Sequence, residues 1–126
     1  RSDGLAISEM KSRGITVLVL STEENCVVGA RCRKLGVECR QGCKDKVNAL
    51  HKWLEEKAIA AQNTVYIGND MNDVRCMLSV GCGVAVADAY ADVKRSARIV
   101  LETPGGSGVV RELFELLYYR DRGRNG

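Results

Sequence analysis

The sequence predicts an α/β fold with a doubly wound parallel sheet, a three-layer arrangement of the Rossmann type, and two observations support this. First, five short apolar runs alternate along the chain with segments that carry apolar residues at helical spacing. Second, the connections between these elements are short, which is typical of a parallel sheet covered by helices on both faces. The length of 126 residues favours one domain, because two separate cores would be unusually small.

Each predicted strand is a short apolar run. The first run, Ile15–Leu20, is continuous and rich in β-branched residues, as expected of a strand that is buried on both faces. The other strands are predicted at Val37–Arg40, Thr64–Ile67, Gly83–Val86 and Arg98–Leu101. Helices are predicted where apolar residues lie three or four positions apart: Asp3–Arg13, Glu24–Leu35, Asp45–Ala58 and Val109–Leu117. Ligands bind such sheets outside the carboxyl ends of the strands, so functional residues are expected in the loops there.

Composition and charge exclude several classes of function. The net charge is +3, of which the basic tail, residues 118–126, supplies +2, so the rest of the chain is nearly neutral. We therefore expect no nucleic-acid partner. No apolar run approaches the roughly 18 residues of a membrane helix, so no membrane partner is expected either. The six cysteines form no C-x-x-C pair, which argues against a regular zinc site. Several of them lie in apolar or helical patterns, which favours reduced thiols and a cytoplasmic location over disulfides.

The densest polar group is the loop 68–73, Gly-Asn-Asp-Met-Asn-Asp, which directly follows the predicted strand Thr64–Ile67. This position places oxygen donors on a turn beside helix N–H groups, an environment that suits a hard cation such as Mg²⁺ together with phosphate. The alternative is a simple helix start, because Asp70 and Asp73 have the spacing of a capping box. Both interpretations remain open on spacing alone.

Three other loops could contact a phosphate group. Ser21 and Thr22 end the first strand and offer hydroxyl and N–H donors, although 21–24 is also a good capping box. Lys46 begins a helix, where the helix dipole is unfavourable for a cation, so a carboxylate or phosphate is expected nearby. The alternative interpretation of Lys46 is a solvated surface lysine. The glycine-rich loop 104–108 could cradle an anion, act as a lid or form a plain turn. His51 and the aromatic residues are interpreted as packing or surface residues.

Together these segments resemble the haloacid dehalogenase (HAD) superfamily, and within it the capless sugar-acid phosphatases. The matching stretches run in family order over nearly the whole chain: Asp3-Gly4, VLVLST (17–22), QGCKDK (41–46), YIGNDMND (66–73), VGCGVAVADAYADVKRSA (80–97) and TPGGSGVVREL (103–113). The resemblance implies a HAD-like fold and a Mg²⁺-dependent phosphatase. Its implied substrate is a phosphorylated 3-deoxy sugar acid of the octulosonate 8-phosphate or sialic-acid 9-phosphate type.

The resemblance also implies roles for individual residues. Ser21 with Thr22 corresponds to the hydroxyl segment that binds the substrate phosphate, and Lys46 to the lysine that neutralises the phosphoryl group. Asp73 corresponds to the carboxylate that orients the acidic loop and pairs with that lysine. The family's metal-binding carboxylate follows the glycine of this loop, where this chain has Asn69. The Asn69 amide oxygen can coordinate Mg²⁺ but brings no charge, so Asp70 is the expected second ligand.

Besides Asn69, the chain departs from the family pattern in two further respects. The family's nucleophile and acid/base aspartates lie in a D-x-D-G motif on its first strand, and no D-x-D occurs in these 126 residues. Because the chain opens at Arg1 rather than Met, we expect that central strand to precede Arg1 and the single domain, 1–126, to be N-terminally incomplete. In addition, Glu23 and Ser107 stand where relatives often carry arginine.

Two further interpretations compete with the phosphatase. For the phosphatase, the resemblance to capless relatives implies a homotetramer in which a neighbouring subunit closes the site. The first alternative to the phosphatase is a catalytically inactive HAD-like oligomerisation domain. Such a domain would be fused to or associated with a CMP-sialic acid synthetase, a cytidylyltransferase; an intact upstream D-x-D-G would favour the enzyme instead. A receiver- or flavodoxin-like signalling module fits the sheet but not the combination of the acidic and glycine-rich loops.

Overall fold

A computed structural model describes residues 2–106 and 108–125, with side chains described for 3–106 and 108–118. The strands are β1 (Leu18–Leu20), β2 (Glu38–Arg40), β3 (Val65–Gly68), β4 (Cys82–Ala85) and β5 (Ile99–Val100). The helices are α1 (Ser2–Ser12), α2 (Cys26–Leu35), α3 (Lys46–Lys57), α4 (Val74–Leu78), α5 (Ala91–Arg95) and α6 (Val109–Asn125). Short 3₁₀ turns occupy Ala61–Asn63 and Met71–Asp73. Ser107 and the side chains of the basic tail beyond Tyr118 lie outside the described residues.

All described strand pairs are parallel, and they form two sheets. Strand β1 pairs with β2, placing Leu18 opposite Glu38, while β3, β4 and β5 pair in that order, placing Gly68 opposite Ala85. The predicted α/β class with parallel strands is confirmed. The pairing is divided between two sheets, and their connection is made by helix packing rather than by strand hydrogen bonds.

Helices cover the strands on both faces. On one face, α3 and α4 contribute the buried cluster Leu50, Trp53, Leu54 and Cys76. Leu18 and Leu20 of β1 and Tyr66 of β3 all pack against this cluster, so α3 spans the two sheets. On the other face, Leu113 of α6 packs with Val84 and Leu101. This burial of apolar surface on two faces is the doubly wound arrangement that the sequence predicts.

The start of α6 is held by α1. The two helices share the buried side chains Ala6, Met10 and Phe114. Asp3 Oδ1 accepts hydrogen bonds of 3.1 Å from the N–H groups of Val110 and Arg111, which belong to the unpaired first turn of α6. This cap fixes the end of the glycine-rich loop, 104–108.

Local contacts explain where the structure differs from the predicted elements. Helix α2 begins at Cys26 rather than Glu24, because Asn25 Oδ1 accepts from the N–H groups of Val27 (2.8 Å) and Val28 (3.4 Å) and so caps the helix. The interpretation of 21–24 as a capping box is therefore wrong. Helices α4 and α5 were not predicted, since five residues each are too few to show a helical period.

Candidate active site

The predicted site residues follow the carboxyl ends of strands in both sheets. Ser21 comes directly after β1, and Asn69 directly after β3. Lys46 is the first residue of α3, which follows the loop after β2 and is capped by Asp45 through the N–H of Asn48 at 3.1 Å. These positions agree with the expectation that functional groups gather at this end of parallel strands.

Asp73 is the centre of the site. It is only 2% exposed, yet its carboxylate has four donors. Oδ1 accepts from Lys46 Nζ at 2.9 Å and from the Tyr66 hydroxyl at 2.6 Å. Oδ2 accepts from the backbone N–H groups of Asn69 at 3.0 Å and Asp70 at 3.1 Å. One buried carboxylate therefore joins α3, β3 and the acidic loop.

The electrostatics of Asp73 favour its charged form. Burial by itself raises the pKa of this carboxyl, but the hydrogen bonds from Tyr66 and Lys46 outweigh it, so that the pKa of Asp73 lies below its ordinary value. The Lys46 side chain, 11% exposed, forms the matching ion pair. This pairing supplies the nearby carboxylate that a lysine at a helix N-terminus requires.

The approach of Asp73 to β3 depends on Gly68. A Cβ at that position would lie 2.6 Å from Asp73 Cβ and 3.0 Å from Met77 Sδ, which is closer than carbon and sulfur atoms can pack. Glycine therefore permits the loop to fold back against the end of the strand.

Asn69 and Asp70 present exposed oxygen donors beside the buried pair. Asp70 Oδ1 accepts from the N–H of Met71 at 2.7 Å, and Asp70 with Asp73 forms the predicted capping box. Both carboxylate oxygens of Asp73 already accept hydrogen bonds, so the amide oxygen of Asn69 and the carboxylate of Asp70 remain to bind a cation. Mg²⁺ is commonly held by one or two carboxylates with water and phosphate, and this donor set fits such a partial shell. Within the described ranges, no cluster of three or more His, Cys, Asp or Glu side chains could hold a metal.

Ser21 is joined to Lys46 through the intervening loop. Its N–H donates to Arg40 O at 3.0 Å, and its carbonyl accepts from the N–H of Cys43 at 2.9 Å. Its Oγ accepts from the N–H of Glu23 at 3.2 Å, which holds the hydroxyl in a local turn. Thr22 is exposed. Direct contacts thus connect Lys46, Asp73, Asn69 and Asp70, whereas Ser21 and Thr22 are connected to this group by backbone only.

Side-chain carboxylates hold the start of the glycine-rich loop. The N–H of Gly105 donates to Asp88 Oδ1 at 2.8 Å. The Glu112 carboxylate accepts from the N–H groups of Glu102 and Thr103, each at 2.9 Å. Its role as an anion cradle or lid stays a prediction.

Two residues have contacts that the sequence interpretation missed. His51 Nε2 lies 2.9 Å from Ser79 Oγ and links α3 to the end of α4, so this histidine has a polar partner. Tyr66 was assigned to packing with the other aromatic residues, but its hydroxyl contacts Asp73. The alternation of side chains along β3 could have indicated this contact. Tyr66 and Gly68 are two positions apart and so face the same side of the strand, and Asp73 approaches that side at Gly68.

A parallel α/β fold with a buried lysine–carboxylate pair beside oxygen donors defines a class of proteins suited to binding a phosphoryl group and a hard cation. The chain belongs to the haloacid dehalogenase-like hydrolase family, whose model matches residues 37–113. The family identified from the sequence motifs is therefore confirmed.

Individual relatives agree with this assignment. The chain is 38% identical over 116 residues to the 3-deoxy-D-manno-octulosonate 8-phosphate phosphatase of Salmonella typhi, covering 91% of this chain but only 62% of that protein. It resembles the cobalt-bound deoxy-D-mannose-octulosonate 8-phosphate phosphatase of Haemophilus influenzae with 32% identity and a TM-score of 0.90, covering 94% of this chain and 70% of that one. The Moraxella catarrhalis phosphatase, in complex with magnesium, phosphate and KDO, gives 28% identity, a TM-score of 0.89 and coverages of 94% and 68%.

Proposed function

We propose that this chain forms the phosphate- and metal-binding part of a Mg²⁺-dependent phosphatase that acts on a phosphorylated 3-deoxy sugar acid. The observation that carries the proposal is the buried Lys46–Asp73 pair beside the oxygen donors of Asn69 and Asp70. The relatives named as octulosonate 8-phosphate phosphatases support that substrate as the first candidate. They also favour the enzyme over an inactive assembly domain.

Lys46 is proposed to contact the phosphoryl group. An ammonium group has three N–H donors, and Asp73 Oδ1 accepts one of them. The others are available to phosphoryl oxygens, whose negative charge a fixed cation stabilises during transfer. Because both Asp73 oxygens are occupied, Asp73 acts in this proposal by positioning Lys46 and the acidic loop, and contacts no substrate.

The remaining ligands follow from the same arrangement. Asn69 and Asp70 would hold Mg²⁺, which when bound neutralises charge on the phosphate and orients it. The hydroxyl and N–H groups of Ser21 and Thr22 are proposed to bind the phosphate from the side of β1.

Release of inorganic phosphate tests this function. A protein in which a D-x-D-G strand precedes Arg1 is expected to release phosphate from 3-deoxy-D-manno-octulosonate 8-phosphate when Mg²⁺ is present and to stop when EDTA removes it. The 126-residue chain by itself is the matched control and is expected to release none, because it contains no D-x-D. If the longer protein hydrolyses neither this compound nor a sialic-acid 9-phosphate, the proposal fails and the assembly-domain alternative is favoured.

A change at Asn69 should strengthen the metal site. Asn69→Asp adds a second carboxylate to the proposed donor set, so the Mg²⁺ concentration for half-maximal activity should fall by about tenfold. A Mg²⁺ titration of phosphate release measures this. Asn63→Asp adds the same charge at an exposed position before β3 and should leave the titration unchanged. An equal response of the two variants would show that Asn69 is not a ligand.

The location, domain organisation and assembly of the protein are also proposed. All six cysteines are free thiols, which supports a reducing, cytoplasmic location. Across the described part of the chain, no helix is long and apolar enough to cross a membrane. We propose that residues 1–126 belong to one domain and that the protein assembles as a homotetramer. The apolar side chains of Leu5, Leu78 and Tyr90 are exposed in the single chain, and contacts between subunits would bury them.

A further inference from the structure

Tyr66 shares an acceptor atom with the lysine of the site. Its ring packs against the cluster formed by α3 and α4, and its hydroxyl donates to Asp73 Oδ1 at 2.6 Å. Lys46 Nζ donates to the same oxygen at 2.9 Å. The two donors come from different elements, β3 and α3, and meet at one atom.

The hydroxyl completes the set of partners of a buried charge. An ionised carboxylate accepts about four hydrogen bonds, and Asp73 receives two at each oxygen. Without the hydroxyl, Oδ1 would keep only Lys46. Loss of the hydroxyl would leave one acceptor site on Oδ1 vacant in a buried place, and Lys46 Nζ could then move towards that site.

We propose that Tyr66 is a positioning residue for Lys46. By occupying one acceptor site of Asp73 Oδ1, its hydroxyl confines Lys46 Nζ to the other acceptor site of that oxygen. The other ammonium donors then stay directed at the substrate phosphate. This inference rests on the proposed function for the role of Lys46, but the hydrogen-bond arrangement itself does not.

The properties of the tyrosine suit this role. Burial, together with its hydrogen bond to Asp73 and the charge of that residue, raises the pKa of Tyr66, so the hydroxyl stays a proton donor at neutral pH. As a neutral donor it fills the acceptor site without adding a second positive charge next to Lys46. Among the described residues, no second acceptor is found for Lys46 Nζ.

Kinetics of Tyr66→Phe test the proposal in a protein in which a D-x-D-G strand precedes Arg1. The phenylalanine ring preserves the packing and removes only the hydroxyl. We expect kcat to fall about tenfold while KM stays within about twofold, because a shift of the ammonium weakens its contact chiefly where charge develops in the transition state. Tyr118→Phe is the matched control, since that half-buried ring packs on Phe114 away from the site. Equal kcat values for the two variants would overturn the proposal.

A second measurement does not depend on activity. Amide hydrogen exchange at Asn69 and Asp70, whose N–H groups donate to Asp73 Oδ2, should be about tenfold faster in Tyr66→Phe than in Tyr118→Phe. The amides of β4 serve as the internal reference, because global destabilisation would accelerate their exchange too. If the unmodified protein hydrolyses no phosphate ester, the proposed function fails, and the exchange rates alone decide whether Tyr66 holds Asp73. Unchanged exchange at both amides would overturn the positioning role in either case.

Discussion

Lys46→Met should lower phosphate release by a protein in which a D-x-D-G strand precedes Arg1 at least about 100-fold, because it removes the ammonium group held beside the acidic loop. Methionine keeps most of the apolar stem and loses only the charge and its donors. The measurement is kcat/KM at saturating Mg²⁺. Isothermal titration with inorganic phosphate should show weakened binding in parallel.

The neighbouring Lys44 provides the control for charge. Its side chain is exposed and lies two positions earlier, in the loop before α3, so Lys44→Met should change the rate less than about twofold. Lys46→Arg separates folding from function, because it keeps the counter-charge for Asp73 but replaces a compact ammonium with a planar group. Compared with Lys46→Met, Lys46→Arg should therefore have a higher free energy of unfolding but a similarly low rate of phosphate release. Turnover by Lys46→Met within a few-fold of the unmodified protein would refute the role assigned to Lys46.

Asp73→Asn should lower the free energy of unfolding by about 3 kcal/mol, the range found when one partner of a buried ion pair is removed. The amide has a single acceptor oxygen in place of two, while four donors still converge on the position. It also leaves the nearly buried Lys46 without its counter-charge. Urea unfolding measures the loss, and the rate of phosphate release should fall with it because Lys46 and the acidic loop lose their common anchor.

A surface aspartate gives the comparison that isolates burial. Asp92 forms an ion pair with Arg95 in which both side chains are more than half exposed. Asp92→Asn should therefore change the free energy of unfolding by less than about 1 kcal/mol, since water screens exposed pairs. Similar losses for the two variants would show that the buried position of Asp73 has no special weight in stability.

The larger elements could be predicted because their patterns are local. The run Ile15–Leu20 predicts a strand, and β1 forms over its last three residues, although these are only partly buried rather than buried on both faces. The stripe Val47, Leu50, Trp53 and Leu54 gives α3 one apolar face. The five-residue helices α4 and α5 carry no comparable period, and their formation depends on packing against β3 and β4. Likewise, the start of α2 was decided by Asn25, one of several polar residues that could have capped it.

The candidate site divides in the same way. By itself, the sequence determined the parallel α/β class, the family and the polar loops that follow the strands, because strand–helix alternation and short motifs lie in continuous stretches of chain. Only the tertiary structure decided which side chains donate hydrogen bonds to the same acceptor atom. The pairing of Lys46 with Asp73, 27 positions apart, was expected only from the family resemblance. The Tyr66 hydroxyl reaches the same carboxylate oxygen because Gly68 lets the acidic loop fold back on β3. Contacts of this kind depend on distances between elements, which no local pattern of residues encodes.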